Sequence, residues 1–199
     1  EVICGFGRTG EWFGSQHYNI KPDVITFAKG ITSGYLPLSG VGIGKKISDV
    51  VIKQGGEFYH GYTYSGHPVA CAVAIENIRI IKEEGMIESV KKNIAPYLQK
   101  RMREFENHPL VGEVRGEGLL VGVELVKNKE KKEMFDPVGT VGNICRDHCM
   151  NNNLIMRAVR DGMMCSPPLT ITKDDIDKCV ERFKISLDAT LEDIKKLDI

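Results

Sequence analysis

Lys21-Pro22-Asp23-Val24-Ile25-Thr26-Phe27-Ala28-Lys29-Gly30 is the stretch on which the reading of this chain turns. Lys21-Pro22-Asp23 is a turn, because proline and aspartate both favour turn backbone. Residues 24–28 are an apolar run of strand type, expected to be buried. Lys29 then opens a glycine-rich turn, Lys29-Gly30-Ile31-Thr32-Ser33-Gly34. A lysine leaving the buried end of a strand has its amine partly desolvated. Desolvation disfavours an ammonium ion and makes a nucleophilic amine available near neutrality. The ordinary alternative is a solvated surface cation, and the segments on either side weigh between the two.

Upstream lie a strand-like run at residues 2–4 and the loop Gly5-Phe6-Gly7-Arg8-Thr9-Gly10, whose glycines permit close backbone approach. Downstream, residues 38–43 read as a third strand, and Gly40 and Gly42 within it point to close packing against a neighbour. His60-Gly61-Tyr62-Thr63-Tyr64-Ser65-Gly66-His67-Pro68 leads into a helix that runs to about residue 84 and closes at Gly85. Hydroxyls and free backbone amides at a helix start attract anions, so Thr63 or Ser65 is a candidate phosphate ligand. The alternative is that either hydroxyl caps the helix or the turn. Residues 86–106 carry one apolar stripe, Ile87, Val90, Ile94, Leu98, Met102 and Phe105, with a kink or break expected at Pro96.

Composition changes near Asn107-His108-Pro109, where a domain boundary is expected. Strands are expected at residues 111–115, 119–126, 154–157 and 163–165, and helices at 141–150 and from 172/173 to about 197. In Leu154-Ile155-Met156-Arg157, an arginine at the end of a short apolar strand is placed to bind a carboxylate through two parallel hydrogen bonds. A surface arginine paired with a local acid is the competing reading.

The bulk numbers exclude several classes. The chain has 199 residues, 42% of them hydrophobic and 27% charged, with a formal net charge of zero. That is ordinary for a soluble globular protein. No basic stripe supports nucleic-acid binding. No apolar run reaches the ~18 residues of a membrane span, and no signal peptide is visible. The six scattered cysteines favour reduced thiols and a cytoplasmic setting. Cys145, His148 and Cys149 lie about one helical turn apart, but no second ligand pair accompanies them, so no metal is expected.

Taken together, residues 1–10, 21–30, 60–68, Val114-Arg115-Gly116-Glu117-Gly118 and Ile155-Met156-Arg157 resemble the class III (subgroup II) pyridoxal-phosphate-dependent aminotransferases, within these the omega-amino acid:pyruvate type. The resemblance runs in family order over nearly the whole chain. It implies an α/β fold of the fold type I pyridoxal-phosphate transferases: the C-terminal part of the large mixed-sheet cofactor domain at residues 1–107, then a small α+β C-terminal domain at 108–199. It implies that pyridoxal 5'-phosphate is the cofactor. Lys29 matches the Schiff-base lysine that also moves protons at the substrate carbon. Thr63 matches the threonine that reaches the cofactor phosphate of the neighbouring subunit, which makes the active site shared within a homodimer. Arg157 matches the mobile arginine that takes the keto acid's carboxylate. Trp12 is expected to pack, and Tyr62 and Tyr64 to shape the pocket.

The implied activity is transfer of an amino group from an omega-amino acid or amine to a keto acid such as pyruvate. The alternatives are another class III enzyme, such as an ornithine or 4-aminobutyrate transaminase, a decarboxylase or an aminomutase, or a non-catalytic oligomerisation fragment. Family members are roughly twice this length. The chain opens inside a strand-like run, one residue after the place of the family's ring-nitrogen aspartate. The 199 residues are therefore expected to be a truncated part that is inactive alone.

Overall fold

The computed structural model describes residues 1–197, which form two compact units that meet in the chain between Lys91 and Lys92. In chain order the first holds α1 (Gly14–His17), β1 (Val24–Phe27), β2 (Gly40–Ile43), α2 (Lys45–Gln54), α3 (Pro68–Glu83) and α4 (Met86–Ser89). The second holds α5 (Ala95–Arg103), β3 (Val111–Glu117), β4 (Leu120–Leu125), α6 (Thr140–Asn151), β5 (Arg157–Val159), β6 (Gly162–Cys165) and α7 (Lys173–Leu197).

In the first unit β1 and β2 pair antiparallel, Val24 opposite Ile43 and Phe27 opposite Gly40. The run expected to be a buried strand alternates between exposed and half-buried, because its single neighbour covers only part of it. The glycines of β2 behave as expected: a Cβ on Gly40 would fall 2.5 Å from the Phe27 ring. Residues 2–4 are not a strand. Glu1 O accepts from Gly5 N at 3.0 Å, closing a turn that leaves Val2 and Ile3 exposed. The core here is Phe6, Ile31, Ala74 and Ile81, with Trp12, Phe13 and Phe27 packed against it. Phe6 meets Phe13 and Phe27 edge-on at 5.5 and 5.8 Å, a favoured ring geometry. Trp12 packs, as expected.

The helix expected over residues 86–106 is interrupted. A π-helical turn occupies Val90–Ile94, immediately before α5, whose second residue is Pro96. Proline has no N–H and its ring collides with the carbonyl four residues back; widening one turn relieves both. A 3-10 turn, Glu104–Asn107, ends the run. Leu98, Met102 and Phe105 are buried in the second unit, so the packing boundary falls at 91/92, ahead of the composition change at 107/108.

The second unit is a four-stranded sheet in the order β3-β4-β6-β5, every pair antiparallel; α5 packs against β3, α6 against β5 and β6, and α7 against α5 and α6. Val121, Val123 and Leu125 alternate inward along β4 and are fully buried. On α7, Ile176, Val180, Phe183, Leu187 and Ile194 recur every three, four or seven residues and form its buried stripe. Phe183 meets Phe105 edge-on at 4.9 Å. The strand expected at 154–157 begins its ladder only at Arg157; Leu154 and Met156 are buried ahead of it.

Asp161, in the turn between β5 and β6, is fully buried. Its carboxylate accepts from Gly139 N at 2.7 Å and Gly142 N at 2.8 Å, satisfying the amino end of α6 from a distant part of the chain. Among the described residues no helix is long and apolar enough to cross a membrane.

His108 links stability to pH. Its Nδ1 accepts from Leu110 N at 3.2 Å and its Nε2 lies 3.3 Å from Asp188 Oδ1, near Lys184. Burial pushes the imidazole below its ordinary value of 6.5, outweighing the opposing hydrogen bond to Asp188. A lowered histidine takes up its proton more readily when unfolded, so stability rises with pH between the folded value and 6.5. Denaturant unfolding should therefore show stability falling as pH drops below 6.5, and His108→Asn should flatten that slope.

Candidate active site

Lys29 is the first residue of a 3-10 turn, Lys29–Thr32, placed directly after β1. Its backbone sits at φ 43°, in the left-handed region that costs a side-chain-bearing residue about 1–2 kcal/mol. Such strain persists only where the surroundings impose it. Two features do so here. Asn77 Nδ2, on α3, donates to Gly30 O at 2.9 Å and Ile31 O at 3.0 Å. Beneath the turn, a Cβ on Gly30 would meet Gly5 O and Phe6 Cβ, both at 3.1 Å. The glycine loop thus reaches the lysine turn through Phe6. Thr32, almost wholly buried, completes the turn by donating its hydroxyl to Leu36 O at 2.6 Å.

A cleft of about 770 Å³ opens against this turn, lined among others by Lys29, Thr32, Tyr62, Tyr64 and Ser65. Lys29 is exposed, which differs from the desolvation expected of a strand-end lysine. The reason is local: the buried residues of the turn are Ile31 and Thr32, which leaves Lys29 on the cleft side. Among the described residues Lys29 forms no ion pair.

The hydroxyls before α3 divide. Ser65 Oγ accepts from Tyr62 N at 2.9 Å, so it serves its own turn. The helix itself is capped by His67, whose Nδ1 accepts from Ala70 N at 3.4 Å, with Pro68 as the first helical residue. Thr63 is exposed and, among the described residues, makes no hydrogen bond; it lies between two tyrosines of the cleft wall but is not itself a lining residue. Arg157 belongs to the other compact unit, where it opens β5. It is exposed and has no ion pair among the described residues.

Cys145 and Cys149 are buried on α6, and the hydrogen bond that the Cys145 thiol donates to Cys149, together with burial, pushes the Cys145 thiol up. His148 lies 2.9 Å from Asp193. Among the described residues no three metal-ligating side chains come together.

Residues 1–187 match the family model described as aminotransferase class-III. The chain belongs to the class III aminotransferases. It is 59% identical over 190 residues to a putrescine–pyruvate aminotransferase of Pseudomonas aeruginosa, covering 96% of this chain and 41% of that protein. It is 42% identical over 200 residues to the mitochondrial gamma aminobutyrate transaminase 1 of Solanum lycopersicum, covering 99% of this chain and 39% of that one. A thermostable (S)-enantioselective omega-transaminase from Thermomicrobium roseum superposes with a TM-score of 0.91 at 44% identity, over 96% of this chain and 42% of that structure. This class III aminotransferase chain therefore spans about two fifths of the length of the relatives it matches, and the α/β fold expected from the sequence is the one they share.

Asn77 went unread in the sequence. Its signal was present: it is the one amide in the apolar start of α3, next to the stripe of Ala70, Ala74 and Ile81. Removing a donor that serves two part-buried carbonyls costs about 1–3 kcal/mol. Asn77→Ala should destabilise the protein by that order in denaturant unfolding, whereas exposed Lys45→Ala on α2 should not.

Proposed function

We propose that the full-length protein transfers an amino group from an omega-amino acid or amine to a keto acid such as pyruvate, with pyridoxal 5'-phosphate held at Lys29. The observation that carries this is Lys29 itself: an amine without an ion pair among the described residues, held in a left-handed turn on the wall of a cleft, in a chain of aminotransferase family. A volume of about 770 Å³ lies within the ~300–1,000 Å³ usual for small-molecule sites. The lining fits two parts of the cofactor. An amine is present for its aldehyde, and hydroxyls and phenols are present for polar substituents. Among the described residues no carboxylate lines the cleft to face a ring nitrogen.

When bound, pyridoxal phosphate supplies an electron sink for the carbon losing or gaining the amino group. The residues of this chain carry the rest. Lys29 Nζ would take the proton from the donor carbon in the first half of the exchange and deliver one to the keto-acid carbon in the second. Thr63 offers a hydroxyl to the phosphate across a homodimer interface. Arg157 binds the carboxylate of the keto acid through its planar fork, a charge-assisted contact in the ~1.5–3 kcal/mol class. In this reading residues 1–107 belong to the cofactor domain and 108–199 to the small domain, and the enzyme is cytoplasmic. The six scattered cysteines, all free in the structure, support that location.

The names of the relatives bear on the donor class. The protein at 59% identity is named for putrescine and pyruvate, which favours a diamine donor; those at about 42% are named for gamma-aminobutyrate, which supports the second reading. Parallel assays with putrescine and 4-aminobutyrate as donors, each against pyruvate, separate the two.

Two outcomes test the residue roles in the full-length protein. Borohydride reduction followed by peptide mass spectrometry should find the cofactor mass on the Lys29 peptide, and Lys29→Ala should lose both that label and turnover. Cofactor retained covalently elsewhere in Lys29→Ala would refute the assignment. Arg157→Ala should raise the KM for pyruvate about 10–100-fold while leaving amine-donor KM nearly unchanged, as loss of a charged hydrogen-bonded contact predicts.

A further inference from the structure

The open face of the four-stranded sheet carries two arginines on one line. The register sets Arg157 opposite Met164, Met164 opposite Gly122, and Gly122 opposite Arg115. Residues paired in this way project to the same face. The other face holds the buried Val121, Val123 and Met163, so this row looks outward. Its middle is low and apolar: Gly122 has no side chain, and Met164 Sδ lies 3.4 Å from where a Cβ would stand.

The adjacent row runs Val159, Gly162, Glu124, Glu113. Arg115 reaches into it, donating Nη1 to Glu113 at 2.9 Å and Nη2 to Glu124 at 2.7 Å. Arg157 draws no such partner among the described residues. Glu124 stands two strands and two residues from Arg157. At ~4.8 Å between strands and ~3.3 Å per residue, their Cα atoms are about 12 Å apart, within the combined reach of extended arginine and glutamate side chains. Ion pairs as exposed as these add little to folding stability, so the fork around Arg115 has another consequence.

We propose that Arg115 is a positioning residue for Arg157: by holding Glu124, with Glu113 on its other side, it keeps the nearest carboxylate of the sheet face from competing with a substrate carboxylate for the Arg157 guanidinium. This rests on the reading of Arg157 as the keto-acid-binding group. It assigns discrimination between carboxylate-bearing and carboxylate-free substrates to a charge arrangement two and three strands away from the binding arginine. Freed of Arg115, Glu124 becomes an internal rival that an incoming keto acid must displace.

The test uses the full-length enzyme. Arg115→Gln should raise the KM for pyruvate about tenfold, the scale of one charge-assisted contact, with kcat and the amine-donor KM little changed. Calorimetry on the cofactor-free protein, with propionate as the carboxylate probe, should show the same loss of affinity. Arg115→Gln/Glu124→Gln should restore both values. An unchanged pyruvate KM in Arg115→Gln, equal shifts for amine and keto acid, or no rescue in the double variant would each overturn the proposal. Should Arg115→Gln fail to fold, Met164→Glu places a carboxylate on the strand position paired with Arg157. It should raise pyruvate KM well beyond Met164→Gln, and equal values for the two would overturn the proposal. Arg157→Ala separates the levels. If it leaves pyruvate KM unchanged, the reading of Arg157 has failed; if it raises KM while Arg115→Gln does not, only the present inference has failed.

Discussion

The hydrogen bonds from Asn77 to the carbonyls of Gly30 and Ile31 are the constraint on which the lysine turn depends. A lysine at φ 43° relaxes unless something holds the peptides after it. The amide holds them from the helix side, while Phe6 closes from below onto a glycine that leaves room for it. The core of this unit is small, and the same few rings and aliphatic groups that form it also support the turn. Loss of packing there and loss of lysine geometry are therefore one event rather than two.

The second unit is built on a different principle. Its sheet is held by one buried face, with α5 and α6 against its strands and α7 against those helices, and the buried carboxylate of Asp161 ties the β5–β6 turn to the start of α6. A fully buried acid is tolerated because two backbone amides converge on it. The outward face is left to charge. There one arginine is held by two glutamates and another is not, although both sit on the same row of the sheet. Sequence distance obscures this: Arg115 and Arg157 are far apart in the chain and are brought into line only by antiparallel register.

Much of the fold was legible. The apolar stripe of residues 86–106, the helices α3 and α7, the strands β3 and β4 and the break near Pro96 follow from periodicity and from what proline cannot do. What failed to read was burial. Residues 24–27 have the composition of a buried strand, yet they form half of a two-stranded ribbon that is partly exposed. Residues 2–4 have the same composition and form a turn. The helix α2 was not anticipated, although Ile47, Val50 and Val51 stand at helical spacing; it buries no residue of its own. Composition reports which residues are suited to a strand or a core, whereas burial depends on which neighbours arrive.

The candidate site divides along the same line. That Lys29 ends a strand and opens a glycine turn, that hydroxyls precede α3 at residues 63 and 65, and that an arginine begins β5 are all properties of the order of residues, and the sequence by itself determined them. Family membership rests on that order too. Only the tertiary structure decided that Lys29 is exposed and strained rather than desolvated, that Ser65 serves its own turn while His67 caps the helix, that Asn77 holds the lysine turn, and that Arg115 lines up with Arg157. The reason is physical: local propensity acts over three or four residues, while strain, burial and charge pairing are set by groups that packing brings from tens of residues away.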